Sequence, residues 1–273
     1  MRVGFLDKTV RTRYIACIGK VAAVCSFAFI FIDLQNVGCR VIAALLVMLV
    51  FAIIYLVIWV RVRLARSFQV QINDLSVEVA AGDIFDQHGL KIIPFNDRYD
   101  TKVDNRLIAE SSLNGIYISK YLDISPDELG EEIQNDADLK VHDDAAYEFR
   151  RKAYRLGSIH VRNDYALVAF SHFDELNRAA LTMEEYVCCL LSFWKELDRV
   201  YAMRDVAVPL LGGGITRIHS DVSANKQFIL ETLLRTLELS QFRPCDDAHV
   251  RIVVREDDWD SIRPIECYET HFR

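Results

Sequence analysis

The chain has 273 residues, 52% of them hydrophobic, and a formal net charge of −7, but those averages hide two unlike pieces. Through Arg66 there are nine Lys/Arg against two Asp/Glu, which leaves 23 basic and 37 acidic residues beyond it. So acidic a body excludes electrostatic binding to nucleic acid, which needs a concentrated basic face; seven cysteines without framework or metal-ligand spacing exclude a disulfide scaffold and place the soluble part in a reducing compartment.

The head, residues 1–66, is expected to form a two-helix membrane hairpin. "YIACIGKVAAVCSFAFIFIDL", Tyr14 to Leu34, is the first span; its Lys20 snorkels to the near interface or faces a neighbouring helix. "QNVGCR" allows only a tight turn. "VIAALLVMLVFAIIYLVIWV", Val41 to Val60, carries no charge, and at 1.5 Å per residue it covers about 30 Å of hydrocarbon. A cleaved leader is the alternative for the first span, but no small-residue cleavage pattern ends it and a second span follows. Arg2, Lys8, Arg11 and Arg13 precede the hairpin, Arg61, Arg63 and Arg66 follow it, and Arg40 stands alone in the turn. The positive-inside rule then leaves both termini in the cytoplasm, with Tyr55 and Trp59 as interfacial anchors.

From Ser67 onward, short apolar runs alternate with amphipathic ones. "SFQVQI", "LSVEVAAG", "LKIIPF", "YALVAFS", "VAVPLL" and "AHVRIVV" predict strands, and Thr182–Arg204 and Ser223–Leu239 predict helices. The first helix opens "TMEE", a capping box with Thr182 as cap and Glu185 three residues on. The alternation predicts one α/β domain over residues 67–273, its sheet covered by helices on both faces. Pro209 argues against a central place for "VAVPLL" throughout, because proline cannot donate to the ladder. Residues 123–155, acidic and then basic, predict peripheral helices or an insertion.

Gly212, Gly213 and Gly214 end an apolar strand, where free backbone N–H groups at the carboxyl edge of an α/β sheet suit phosphates. The run is neither a P-loop nor G-x-G-x-x-G, and a plain turn before a helix starting near Ser223 explains it equally well. "VEVAAGDIFDQHG" sets Gly82, Asp83 and Ile84 just past a strand, and "PFNDRYDT" clusters Asn96, Asp97, Asp100 and Thr101 where the next one ends. In this order the three stretches resemble the macro domain, the family that binds ADP-ribose and its derivatives. The resemblance covers Ser67 to Arg273 and implies a mixed sheet sandwiched between helices. It also implies roles. Asp83 would accept from the adenine amino group while the Ile84 N–H meets the ring. In the ligand-binding loop that starts with Leu211 and Gly212, the amides of Gly213, Gly214, Ile215 and Thr216 would hold the diphosphate, with a contact from Arg217. Asn96, Asp97, Asp100, Thr101 and Asn114 would surround the distal ribose and whatever it carries, the aspartates being suited to a cationic amine or imidazole. Blander alternatives stay open for each: Asp83 as a helix cap, "NDRYDT" as an Asx-type turn closing on its own backbone, Arg217 as a solvated charge.

"PFNDRYDT" departs from the Asn-Ala-Ala-Asn loop of hydrolytic macro domains. Together with the hairpin it is similar to the membrane-bound macro-domain effectors of bacterial Thoeris anti-phage defence. That resemblance implies a receptor rather than an enzyme, with no catalytic residue, metal or cofactor. A partner TIR enzyme would convert NAD into histidine-linked ADP-ribose; the macro domain would bind it, form a homo-oligomer and disrupt the inner membrane in abortive infection. The alternative is a membrane-tethered ADP-ribosyl hydrolase with Asp97 or Asp100 as base. His88, His160, His172, His219 and His249 show no catalytic spacing and are expected to be structural or exposed.

Overall fold

Two helices lead into the sheet of the computed structural model, which describes residues 4–30, 37–105, 107–139, 141, 153–173, 179–214, 217–219, 225–245, 247–263 and 270–272. Helix α1 is Lys8–Ile30 and α2 is Val37–Leu64. Among the described residues, α2 is the one helix long and apolar enough to cross a membrane by length and composition. Its 28 residues extend about 42 Å, more than the hydrocarbon requires, so the helix outruns the predicted Val41 to Val60 at both ends. The surplus turn is put to use: Val62 is 1% exposed and shares a hydrophobic core with Val10 of α1 and Phe68 of the sheet. Around that junction Phe5 meets Tyr55 and Trp59 edge-on at 4.9 and 5.6 Å, and the Arg63 guanidinium lies 5.1 Å over the Trp59 ring. The end of the first predicted span and the start of the turn fall on residues 31–36, outside the described residues.

Ten strands follow among the described residues: β1 (Ser67–Ile72), β2 (Leu75–Ala81), β3 (Leu90–Asn96), β4 (Ile159–Arg162), β5 (Tyr165–Phe173), β6 (Ala179–Thr182), β7 (Val206–Pro209), β8 (Arg217–His219), β9 (Val250–Val254) and β10 (Thr270–Phe272). They form one sheet in the order β10-β1-β2-β9-β7-β3-β5-β6-β8, with β4 also paired to β5. The five inner strands β2, β9, β7, β3 and β5 are mutually parallel. The outer pairings of β1 with β10 and β2, and of β5 with β4 and β6, are antiparallel, so the sheet is mixed.

Both faces of this sheet are buried, because apolar side chains alternate between two cores. Leu90, Ile92, Val168, Phe170, Val206, Val208 and Ile252 meet helices α5 (Met183–Val200) and α6 (Lys226–Leu239). Ile93, Phe95, Leu167, Ala169, Ala207 and Val253 face the other way. There they meet α3 (Leu113–Ile116), the π-helical turn Tyr117–Tyr121 that continues it, and α4 (Pro126–Asn135). In α5, Tyr186, Cys189, Leu190, Phe193, Trp194 and Leu197 recur at helical spacing on the buried side. Its reciprocal capping box of Thr182 with Glu185 fixes the start.

Three expectations change. Asn225, not Ser223, caps α6, its side chain accepting from the Phe228 N–H; Ser223 lies outside the described residues. Strand β8 stands between the glycine turn and α6, so that turn leads into a strand. Pro209 sits in a central strand after all. Alternate amides point to opposite sides, and Leu210 N donates to Val253, so the missing Pro209 N–H falls on the β3 side, where the pairing has ended at Ala207. Within 123–155, α4 is one peripheral helix, capped by a second box of Ser125 with Glu128; residues 142–152 lie outside the described residues.

Candidate functional site

Parallel strands deliver their carboxyl ends to one edge, and here the three singled-out stretches arrive there together. Across that edge stand Gly82 and Asp83 after β2, the end of β9, Leu210 to Gly214 after β7, Asn96 at the end of β3 with the loop to Asp100 behind it, and His172 on β5. At about 4.8 Å between neighbouring strands, the β2 and β3 loops are separated by roughly 14 Å with the glycine turn between them. The last two carbonyls of β9 hold the two flanking loops: Val253 accepts from Leu210 N at 3.2 Å and Val254 from Gly82 N at 2.9 Å.

At the β2 end, Asp83 is exposed and accepts from the Phe85 N–H at 3.0 Å, while Ile84 is buried in the second core. The carboxylate therefore closes a local turn and still faces solvent.

The glycine turn is shaped by close approach rather than by freedom alone. Gly212 has φ 85°, a left-handed conformation that disfavours a side chain. A Cβ on Gly213 would lie 2.9 Å from the Leu210 carbonyl oxygen, whereas one on Gly214 would meet nothing within 4 Å among the described residues. Leu211 is buried, and its carbonyl accepts from the Tyr186 hydroxyl at 2.9 Å, pinning the turn to α5. Ile215 and Thr216 lie outside the described residues. Arg217 opens β8, paired with Ala180; its side chain also lies outside them.

The β3 loop closes on itself. Asn96 Nδ2 donates to the Asp100 carboxylate at 2.6 Å and Asn96 Oδ1 accepts from the Asp100 backbone N–H at 2.9 Å, so Asp100 holds both ends of the Asn96 amide. Tyr99 takes φ 48°, and its buried hydroxyl donates to the Ser158 carbonyl and accepts from Ala169 N, so it packs and is not available for stacking on a ligand. Asp97 is buried, with Oδ2 2.8 Å from His172 Nδ1 and with no partner for Oδ1 among the described residues. That hydrogen bond raises the His172 pKa, and Glu185 Oε1, 3.9 Å from Nε2, adds to it; the nearby Arg98 opposes it. Burial keeps Tyr99 well above the ordinary phenol range.

The remaining nominated residues lie to the side. Thr101 is buried and lines a cleft of about 430 Å³ with Lys102, Val103, Ile118, Ser119, Pro126 and Asp127. None of the other nominated residues lines it. Asn114, in α3 beside β3, accepts from the Ser112 hydroxyl at 2.6 Å. Among the described residues no group of three His, Cys, Asp or Glu side chains could hold a metal. His172 was missed as a site residue because only the β3–β5 pairing brings it to Asp97; the carbonyls of Val253 and Val254 have no sequence signature at all.

The family model for the macro domain of Thoeris protein ThsA matches residues 77–255. Thoeris protein ThsA of Bacillus amyloliquefaciens (strain Y2) is 35% identical over 261 residues, covering 92% of this chain and 86% of that protein. Among solved structures, the Oceanobacillus iheyensis macrodomain with ADP is 14% identical at a TM-score of 0.45, covering 71% of this chain and 90% of that one. The same macrodomain with MES bound is 15% identical at 0.44, covering 71% and 91%. The chain belongs to the Thoeris ThsA family and carries its macro domain.

Proposed function

We propose that this protein is a membrane-anchored receptor for an ADP-ribose-derived signal, histidine-linked ADP-ribose, made by a partner TIR enzyme. Binding drives homo-oligomerisation, and the assembled hairpins disrupt the bacterial inner membrane, which ends phage infection with the cell. Both chain ends and the macro domain lie in the cytoplasm in this reading, and the protein itself catalyses nothing.

The observation that carries the reading is the placement of Asp83, the Leu210 to Gly214 turn and the Asn96 to Asp100 loop along one sheet edge. Their order matches an extended ligand: a carboxylate for a base amino group at one end, amides in the middle for a diphosphate, and polar side chains at the other end for a ribose. Membership of a Thoeris family supplies the defence context. Helix α2 supplies a span, and the shared burial of Val10, Val62 and Phe68 joins hairpin to sensor without a linker.

Two measurements test it on the full chain in lipid vesicles. Calorimetry should detect binding of ADP-ribose and, more tightly, of its histidine conjugate. Ligand should then release an entrapped dye. Absence of binding at high micromolar concentration defeats the receptor reading, and steady hydrolysis of the conjugate replaces it with the hydrolase.

A further inference from the structure

Between the ligand edge and the membrane helix stands one short element, α7 (Glu256–Trp259), which follows β9 directly. On its upstream side, the Val253 and Val254 carbonyls hold Leu210 of the glycine turn and Gly82 next to Asp83. On its downstream side, the buried Trp259 indole Nε1–H donates to the Ala65 carbonyl at 3.0 Å, just past the end of α2, and its ring packs 5.9 Å from Phe68.

We propose that α7 is the coupling element between the ligand edge and the apolar hairpin, with Trp259 as its positioning residue; the proposal rests on the receptor reading above. The same seam is stitched a second time. Arg66, adjacent to Ala65, accepts from Ala81 N at 2.9 Å, and Ala81 precedes Gly82. Asp258 reaches Lys226 at 3.2 Å, so the start of α6 joins the same helix. The exposed Arg66–Glu256 pair at 3.7 Å adds little by itself. A shift of either ligand loop is therefore passed through backbone hydrogen bonds to β9, along four helical residues, and onto the exit of α2. Val10 and Val62 are packed in the same core as Phe68, so the hairpin base follows Phe68 instead of sliding past it. Close-packed contacts of this kind switch between discrete arrangements instead of stretching. A ligand biases that choice by its differential affinity for the two arrangements.

Trp259→Phe keeps an aromatic ring and removes the donor to Ala65. The test is amide hydrogen exchange over residues 60–68 of the full chain in lipid nanodiscs, with and without ADP-ribose and its histidine conjugate, alongside calorimetry. In the wild type, ligand should change exchange there by about threefold or more. In Trp259→Phe, affinity should stay within about twofold while that change disappears. Should Trp259→Phe fail to fold, Asp258→Ala, which unties α7 from Lys226 with the indole intact, takes its place and should halve the response or more. Binding with no exchange change in the wild type, or an undiminished change in the variant that folds, overturns the coupling and leaves the receptor standing. Absence of binding by either ligand removes the receptor and the coupling with it.

Discussion

His172 Nδ1 lies 2.8 Å from Asp97 Oδ2, joining the ends of β5 and β3 across 75 residues of sequence. The bond favours imidazolium, so the folded protein holds that proton more tightly than the unfolded chain. A raised folded pKa contributes stability in full below the unfolded value near 6.5 and loses it as pH climbs through the folded value. His172→Gln should therefore destabilise most at about pH 6 and least at about pH 9, judged by urea midpoints. A gap that does not narrow on alkalinisation rules the charged pair out.

Tyr99→Phe is expected to cost only about 1 kcal/mol, because the Ser158 carbonyl and Ala169 N–H lose the hydroxyl but stay bonded to each other at 3.0 Å. Chemical denaturation measures it. A loss of about 3 kcal/mol or more would mean that the hydroxyl holds that pair together.

Asp83 gives a pair of variants that separates fold from recognition. Asp83→Asn keeps an acceptor for the Phe85 N–H and should unfold at the wild-type midpoint, whereas Asp83→Ala should cost up to about 1 kcal/mol. For ADP-ribose the alanine variant should lose about 10- to 100-fold in affinity and the asparagine variant only a few-fold. Equal affinities for all three proteins would move the base-binding position elsewhere.

The glycine turn offers a sharper contrast. A side chain on Gly214 meets none of the described residues, so Gly214→Glu should fold normally and repel a diphosphate, lowering ADP-ribose affinity by about tenfold or more. Gly213→Ala should instead destabilise by about 1 to 3 kcal/mol, since its Cβ crowds the Leu210 carbonyl. Calorimetry and thermal melts on both variants distinguish the roles, and unchanged binding by Gly214→Glu would make the turn merely structural.

Strands β1, β2, β3, β5, β7 and β9 were legible because each lies in a short apolar run, and α5 because its box and its periodicity agree. Strands β4, β6, β8 and β10 were not: at three or four residues they show little pattern of their own and, unlike β7 within "VAVPLL", sit in no longer apolar run, so their neighbours fix them. Helix α4 was half legible: "SPDE" spells a capping box with proline at the first turn, yet the acidity around it masked its two buried residues, Leu129 and Ile133. For the candidate site, the loops could be named but not their internal hydrogen bonding. Asn96 and Asp100 carry the same letters whether they bind each other or a ribose. His172 has no local signal, since its partner comes from a different strand.

The pairing of β1 with β10 sets Phe68 against Phe272, so the strand that emerges straight from the hairpin finds its outer neighbour about 200 residues later. During synthesis, then, the hairpin is made long before the edge of β1 has anything to bond. A ribosome stalled before Thr270 leaves that edge open to pairing with another chain until β10 is made.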